Sequence, residues 1–169
     1  RMGRAPMSVM LELSRASRGS AVVLIHGYSG VHEDESALET VLAHDLCLYQ
    51  SDAVSRRSGF VNPAVRGTFP RLLGQALRER LDVSLEAMIH RMTGASADRF
   101  GLEGRGRLVA GAFADALIFD PETITDVTPE DGSEAQRPLG VERLFVNGVE
   151  VVTDGRADPS RGAGQVLRT

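Results

Sequence analysis

The sequence predicts an α/β chain in which parallel strand and helix units come first and an all-β part follows from about residue 104. Three observations carry this expectation. Ala21-Val22-Val23-Leu24-Ile25 is a continuous apolar run closed by His26-Gly27, the pattern of a strand buried on both faces. A helical stripe of Ala37, Leu38, Val41 and Leu42 separates it from a second apolar run, Leu46 to Gln50, and that order makes the two strands parallel. Beyond residue 104, Asn147-Gly148 stands between Leu144-Phe145-Val146 and Val149-Glu150-Val151, which is the pattern of a type I′ hairpin.

The elements follow in order. Residues 6–18 carry Met7, Val9, Met10, Leu11 and Leu13 at helix-compatible spacing, and Gly19 ends the run. After the strand at 21–25, a helix is expected from Glu33 to His44, with acidic residues at its N-terminal end, where the helix dipole favours them. The strand at 46–50 stops on Ser51-Asp52, so His26 and Asp52 are expected to open onto the same face of the sheet. Catalytic residues of α/β barrels stand at such strand ends, although an aspartate there also suits a turn or a helix cap. Residues 53–67 read as a long polar loop broken by Gly59 and Pro63.

Thr68 then reads as the cap of a helix with Pro70 in its first turn and a stripe of Phe69, Leu72, Leu73, Ala76 and Leu77. Ser84 caps the next, with Leu85, Met88, Ile89 and Met92 inward, and a short helix over 96–100 ends at Gly101. Gly104-Arg105-Gly106 reads as a linker, after which 114–119 and 141–152 are strands, the latter folded at the hairpin.

The bulk properties narrow the function classes. A chain of 169 residues with 42% hydrophobic residues can bury a core of its own. The net charge of −4 and the lack of any basic run exclude a nucleic-acid surface. No apolar stretch approaches the roughly 20 residues of a bilayer span, and Arg1-Met2-Gly3-Arg4 leads into no signal sequence, so a cytoplasmic chain is expected. All 19 basic residues are arginine, which leaves no lysine for a Schiff base, a phosphate loop or a carbamylated metal bridge. The single cysteine, Cys47, falls in a predicted buried strand and is expected to act as a small hydrophobe. Because the chain opens on arginine and enters patterned sequence almost at once, it reads as part of something longer.

Several motifs yield bland readings. The strand before His26-Gly27-Tyr28 is like the oxyanion strand of α/β-hydrolases, yet no Gly-x-Ser-x-Gly elbow follows. His26, His32, His44 and His90 have no metal-ligand spacing. His44 is expected to end its helix as a cation facing the dipole, and His90 to lie beside Met88 and Ile89. His26 remains open between a structural histidine and a substrate contact. Arg71, Arg78, Arg80 and Arg91 have the spacing of solvated helix faces, and the glycines of 101–106 precede no phosphate-binding helix.

Ser51-Asp52, the segment from Asn62 to Gly74 with its Gly67-Thr68-Phe69-Pro70-Arg71, and Ser84 to Thr93 closely resemble the C-terminal part of the N-acyl-D-amino-acid deacylases, or D-aminoacylases. That group lies within the amidohydrolase superfamily. Gly104-Arg105-Gly106-Arg107-Leu108, Gly111 to Ala116, Val146 to Val149 and Gly164 to Leu167 extend the resemblance over most of residues 45–169. It implies a metal-dependent (β/α)₈ barrel whose last strand ends in an aspartate, and a small β-sandwich built from both chain ends. Asp52 matches that aspartate, with the implied role of general base on a zinc-bound water and then acid toward the leaving amine.

This sequence departs from the pattern in three places. Ala53 replaces a glycine, Asn62-Pro63-Ala64 stands where His-Pro-Arg is usual, and the family's His-x-His pair and middle-strand ligands are absent.

The expectation is therefore an α/β fold. Residues 1–103 are the last strands and helices of the barrel, and 104–169 the sandwich portion. Asp52 is the catalytic residue, His26 and Tyr28 are substrate contacts, and Asp52 is the one candidate metal ligand, so the isolated chain should be inactive. The implied partners are a small-molecule N-acyl amino acid or related amide and the rest of the barrel in cis. A cyclic amidase of the dihydroorotase or hydantoinase kind and a non-catalytic truncated remnant are the alternatives.

Overall fold

The computed structural model describes residues 5–18, 35–52, 64–127 and 137–167. The chain divides into two compact units, Arg1–Leu38 and Glu39–Thr169. In the first, α1 covers Pro6–Ala16, two residues shorter than the periodicity suggests, because Arg18 adopts a left-handed backbone with φ 52°. Met7, Met10, Leu11 and Leu13 are exposed on it. The strand expected at 21–25 lies outside the described residues.

The helical elements that follow are α2 (Ser36–Ala43), α3 (Ala64–Leu73), α4 (Gln75–Leu81), α5 (Leu85–Met92) and α6 (Gly94–Phe100). On α2 the stripe is narrower than expected: Leu42 and Ala43 pack against the core, whereas Val41 is exposed. Residues 46–50, read as a strand, take part in no ladder among the described residues. A strand exists only by pairing, and its expected neighbour lies outside those residues.

The single helix expected from Thr68 onward is two. Thr68 is interior to α3, where its hydroxyl donates to the Ala64 carbonyl at 3.1 Å instead of capping, so helix begins four residues earlier. Pro70 stands inside α3, and the helix ends soon after it, at Leu73. Gly74 then turns to extended backbone (φ −60°, ψ 136°), and the Arg78 Nε closes the joint by donating to the Leu73 carbonyl at 2.8 Å. Phe69, expected on the common stripe, is 40% exposed. Ser84 caps α5 as expected, its Oγ accepting from the Ala87 N–H at 3.2 Å.

Strands β1 (Ala116–Phe119), β2 (Val141–Val146), β3 (Val149–Thr153) and β4 (Arg156–Ala157) form an antiparallel sheet in that order. Asn147 and Gly148 have φ of 48° and 80°, the turn their dipeptide predicts. Asp154-Gly155 makes the next turn with φ of 49° and 66°, by the same hairpin chemistry.

The core joins helices and sheet. Tyr49, Leu72, Leu73, Leu81, Val83, Met88 and Ile124 are buried together, with Phe119 and Val141 from the sheet against them. Ile124 enters because the backbone closes tightly around it: the Asp120 N–H donates to the Gly140 carbonyl at 2.8 Å, and the Leu139 N–H to the Thr125 carbonyl at 3.0 Å. A Cβ on Gly140 (φ 72°) would stand 2.5 Å from the Ile124 Cα, so only glycine fits there.

Candidate active site

Asp52 is exposed, and its backbone is left-handed at φ 46°. Aspartate tolerates that region better than most residues, but it persists only where the surroundings hold it. The nearest anchor is Tyr49, the last buried residue before Asp52. Its hydroxyl donates to the Leu42 carbonyl at 2.7 Å. His26, Tyr28 and His32 lie outside the described residues, as does most of the loop at 53–67, whose last four residues are the first turn of α3.

Two expectations near this point are corrected. His44 follows α2, but its Nδ1 accepts from the Leu46 N–H at 3.1 Å, so that nitrogen serves the turn toward Asp52 and not the end of the helix. Arg91 is not on a solvated face: it is 7% exposed and donates through NH1 to the Leu42 and Ala43 carbonyls and the Tyr49 hydroxyl, and through NH2 to Asp45 at 2.8 Å. Position 91 is three residues after Met88 on the same helical face, a phase the sequence shows without showing what the guanidinium meets. Arg78 and Arg80 are also engaged, the former with Leu73 as above and the latter with Glu39 at 2.8 Å. His90 is exposed on α5.

The glycine-rich stretch is more than a linker. Arg105 is clamped by the Asp115 carboxylate and by Asn147 Oδ1 at 2.7 Å, and its guanidinium stacks 4.1 Å from the Phe113 ring centre. Gly106 passes so close to α6 that a Cβ would stand 2.7 Å from the Thr93 carbonyl oxygen. Arg107 fastens the same crossing, its two terminal nitrogens reaching Asp98 at 2.7 and 2.5 Å. This hydrogen bond holds the Asp98 carboxyl below the usual carboxylate range and raises the Arg107 guanidinium. Asp120 is lowered too, by the Glu122 N–H and then the Thr123 hydroxyl.

Zinc chemistry needs three or more converging donors. Among the described residues no group of three histidine, cysteine or acidic side chains could hold a metal ion, so those side chains alone do not fit a zinc site. Nor is any helix among them long and apolar enough to cross a membrane.

Residues 39–156 match the model of the amidohydrolase family. The chain is 36% identical over 135 residues to an N-acyl-D-glutamate deacylase of Alcaligenes xylosoxydans xylosoxydans, and 37% identical over 134 residues to a D-aminoacylase of the same organism. These alignments cover 80% and 79% of this chain but 27% of each relative. Among solved structures, a D-aminoacylase studied for its binuclear metal centre superposes with a TM-score of 0.72 at 33% identity, over 80% of this chain and 28% of that one. The N-acyl-D-glutamate deacylase of Bordetella bronchiseptica, complexed with zinc and a phosphonate mimic of the tetrahedral intermediate, superposes with a TM-score of 0.66 at 36% identity, over the same shares of the two chains. The chain thus spans little more than a quarter of the length of the relatives it matches.

Proposed function

The chain belongs to the amidohydrolase family, and on that premise we propose that it is the C-terminal part of a metal-dependent enzyme that hydrolyses the amide of N-acyl-D-amino acids. The observation that carries this reading is the identity of 36% and 37% to two deacylases of such substrates, through an alignment that takes in four-fifths of the chain. In this reading residues 1–103 complete the barrel in cis and 104–169 belong to a small β-sandwich, to which β1–β4 contribute. The change from helices to an antiparallel sheet supports that division. The enzyme works in the cytoplasm on a small-molecule substrate.

Asp52 takes the proton of the attacking water and returns it to the leaving amine, so one carboxylate serves as base and then as acid. Its place at the end of the segment anchored by Tyr49 and its strained backbone support this role, because such conformations gather at working sites. His26 and Tyr28 contact the substrate. Zinc, the metal in the Bordetella relative, would be held mainly by family ligands that this sequence lacks, with Asp52 the one candidate ligand here.

In the full-length protein, Asp52→Asn should lower kcat on N-acyl-D-amino acids by roughly a hundredfold or more with zinc content unchanged. Near-normal turnover by a zinc-loaded variant would overturn the role of Asp52. Hydrolysis of dihydroorotate or hydantoin in preference to linear N-acyl-D-amino acids would overturn the substrate class, and absence of both zinc and turnover would identify a remnant.

A further inference from the structure

We infer that Arg91 is the positioning residue for Asp52, acting through Tyr49; this rests on the reading of Asp52 as the general base. Arg91 is on α5, yet its polar contacts nearly all fall on the segment that leads to Asp52. NH1 reaches the Leu42 carbonyl at 3.2 Å, the Ala43 carbonyl at 3.1 Å and the Tyr49 hydroxyl at 3.2 Å. Those two carbonyls are among the last four of α2, which have no partner within the helix. The Tyr49 hydroxyl spends its single proton on the Leu42 carbonyl and so has a lone pair free to accept from Arg91. One guanidinium therefore closes a ring around the end of α2 and the residue that anchors 50–52.

The ion pair with Asp45 is a minor part of this. Asp45's side chain is 97% exposed, and such pairs contribute little. The fixed fork of the guanidinium matters more, because it meets acceptors on separate parts of the backbone at set angles, which a lysine ammonium cannot reproduce. Tyr49 and Asp52 are three positions apart, at most about 10 Å of chain. Gln50 is exposed and Ser51 half-buried, so no buried side chain intervenes to aim the carboxylate. A shift of about 1 Å in a reacting group can cost about a hundredfold in rate.

The test uses the full-length, zinc-loaded protein and four variants: Arg91→Lys, Tyr49→Phe, Asp52→Asn, and Arg91→Lys combined with Asp52→Asn. Arg91→Lys should lower kcat by about tenfold with KM within about twofold. Tyr49→Phe, which keeps the ring packing, should lower it by about threefold in the same pattern and decides the matter if the lysine variant does not fold. Since Arg91 acts through Asp52, adding Arg91→Lys to Asp52→Asn should cause no further loss.

An unchanged kcat per folded, zinc-loaded site in Arg91→Lys or Tyr49→Phe overturns the inference, as does a loss that multiplies fully with that of Asp52→Asn. If Asp52→Asn alone retains near-normal turnover, the general-base reading fails first and the inference with it. If Asp52→Asn is impaired while Arg91→Lys is normal, only the inference fails.

Discussion

The Arg105 guanidinium and the Asn147 side chain meet at 2.7 Å, joining the glycine-rich crossing to the tip of the β2–β3 hairpin. Asn147 does more than turn the chain: its N–H donates to Asp115 Oδ1 at 2.7 Å and its Nδ2 to the Ala163 carbonyl at 2.6 Å. Three separate stretches thus converge on one arginine and one asparagine. Arg105→Ala should destabilise the protein by about 2 to 3 kcal/mol, because it leaves Asp115 and Asn147 without their charged donor. Urea denaturation of the two proteins measures it, and a change below about 0.5 kcal/mol would contradict the clamp.

Gly140 tests the closure around Ile124. Gly140→Ala puts a methyl group where the Ile124 backbone already stands and keeps φ at 72°, so a loss of about 2 to 4 kcal/mol is expected. An unshifted denaturation midpoint would contradict the close approach.

Met88 tests the shared core. It is 0% exposed on α5, and Met88→Ala should cost about 2 to 5 kcal/mol, the usual range for a large core truncation. The same helix position also sets the phase that buries Arg91, so a variant that lost stability without altering kcat would separate the packing of α5 from its link to Asp52.

Asp120 carries a pH signature. The Glu122 N–H and the Thr123 hydroxyl bind its ionised form and lower its pKa in the folded state. A depressed carboxyl contributes stability that is fully present above the unfolded value and disappears as pH falls through the folded one. Asp120→Ala should therefore lower Tm at pH 7, and the difference from the parent should shrink as pH falls below the ordinary aspartate range. Melting curves across that acidic window provide the comparison, and a difference that grew on acidification would contradict the sign.

Local chemistry made much of this legible. Ser84 announces a helix start, Gly101 a helix end and Asn147-Gly148 a hairpin, because each depends on one or two residues whose backbone preferences are strong. The Asp154-Gly155 turn obeyed the same rule. The break between α3 and α4 was less visible, since Thr68 can cap a helix or satisfy its hydroxyl within one, and only the surroundings select between them.

What the sequence by itself determined was the change from helices to an antiparallel sheet, the hairpin and the aspartate at the end of an apolar run, all products of short-range preference and pattern. Only the tertiary structure decided that Arg91 is buried against the end of α2, that Ile124 reaches the helical core and that Arg105 holds the hairpin tip. The physical reason is separation along the chain: Arg91 and Tyr49 lie 42 positions apart. An arginine carries the same helix propensity whether its guanidinium meets water or a ring of carbonyls, and folding alone decides which it meets.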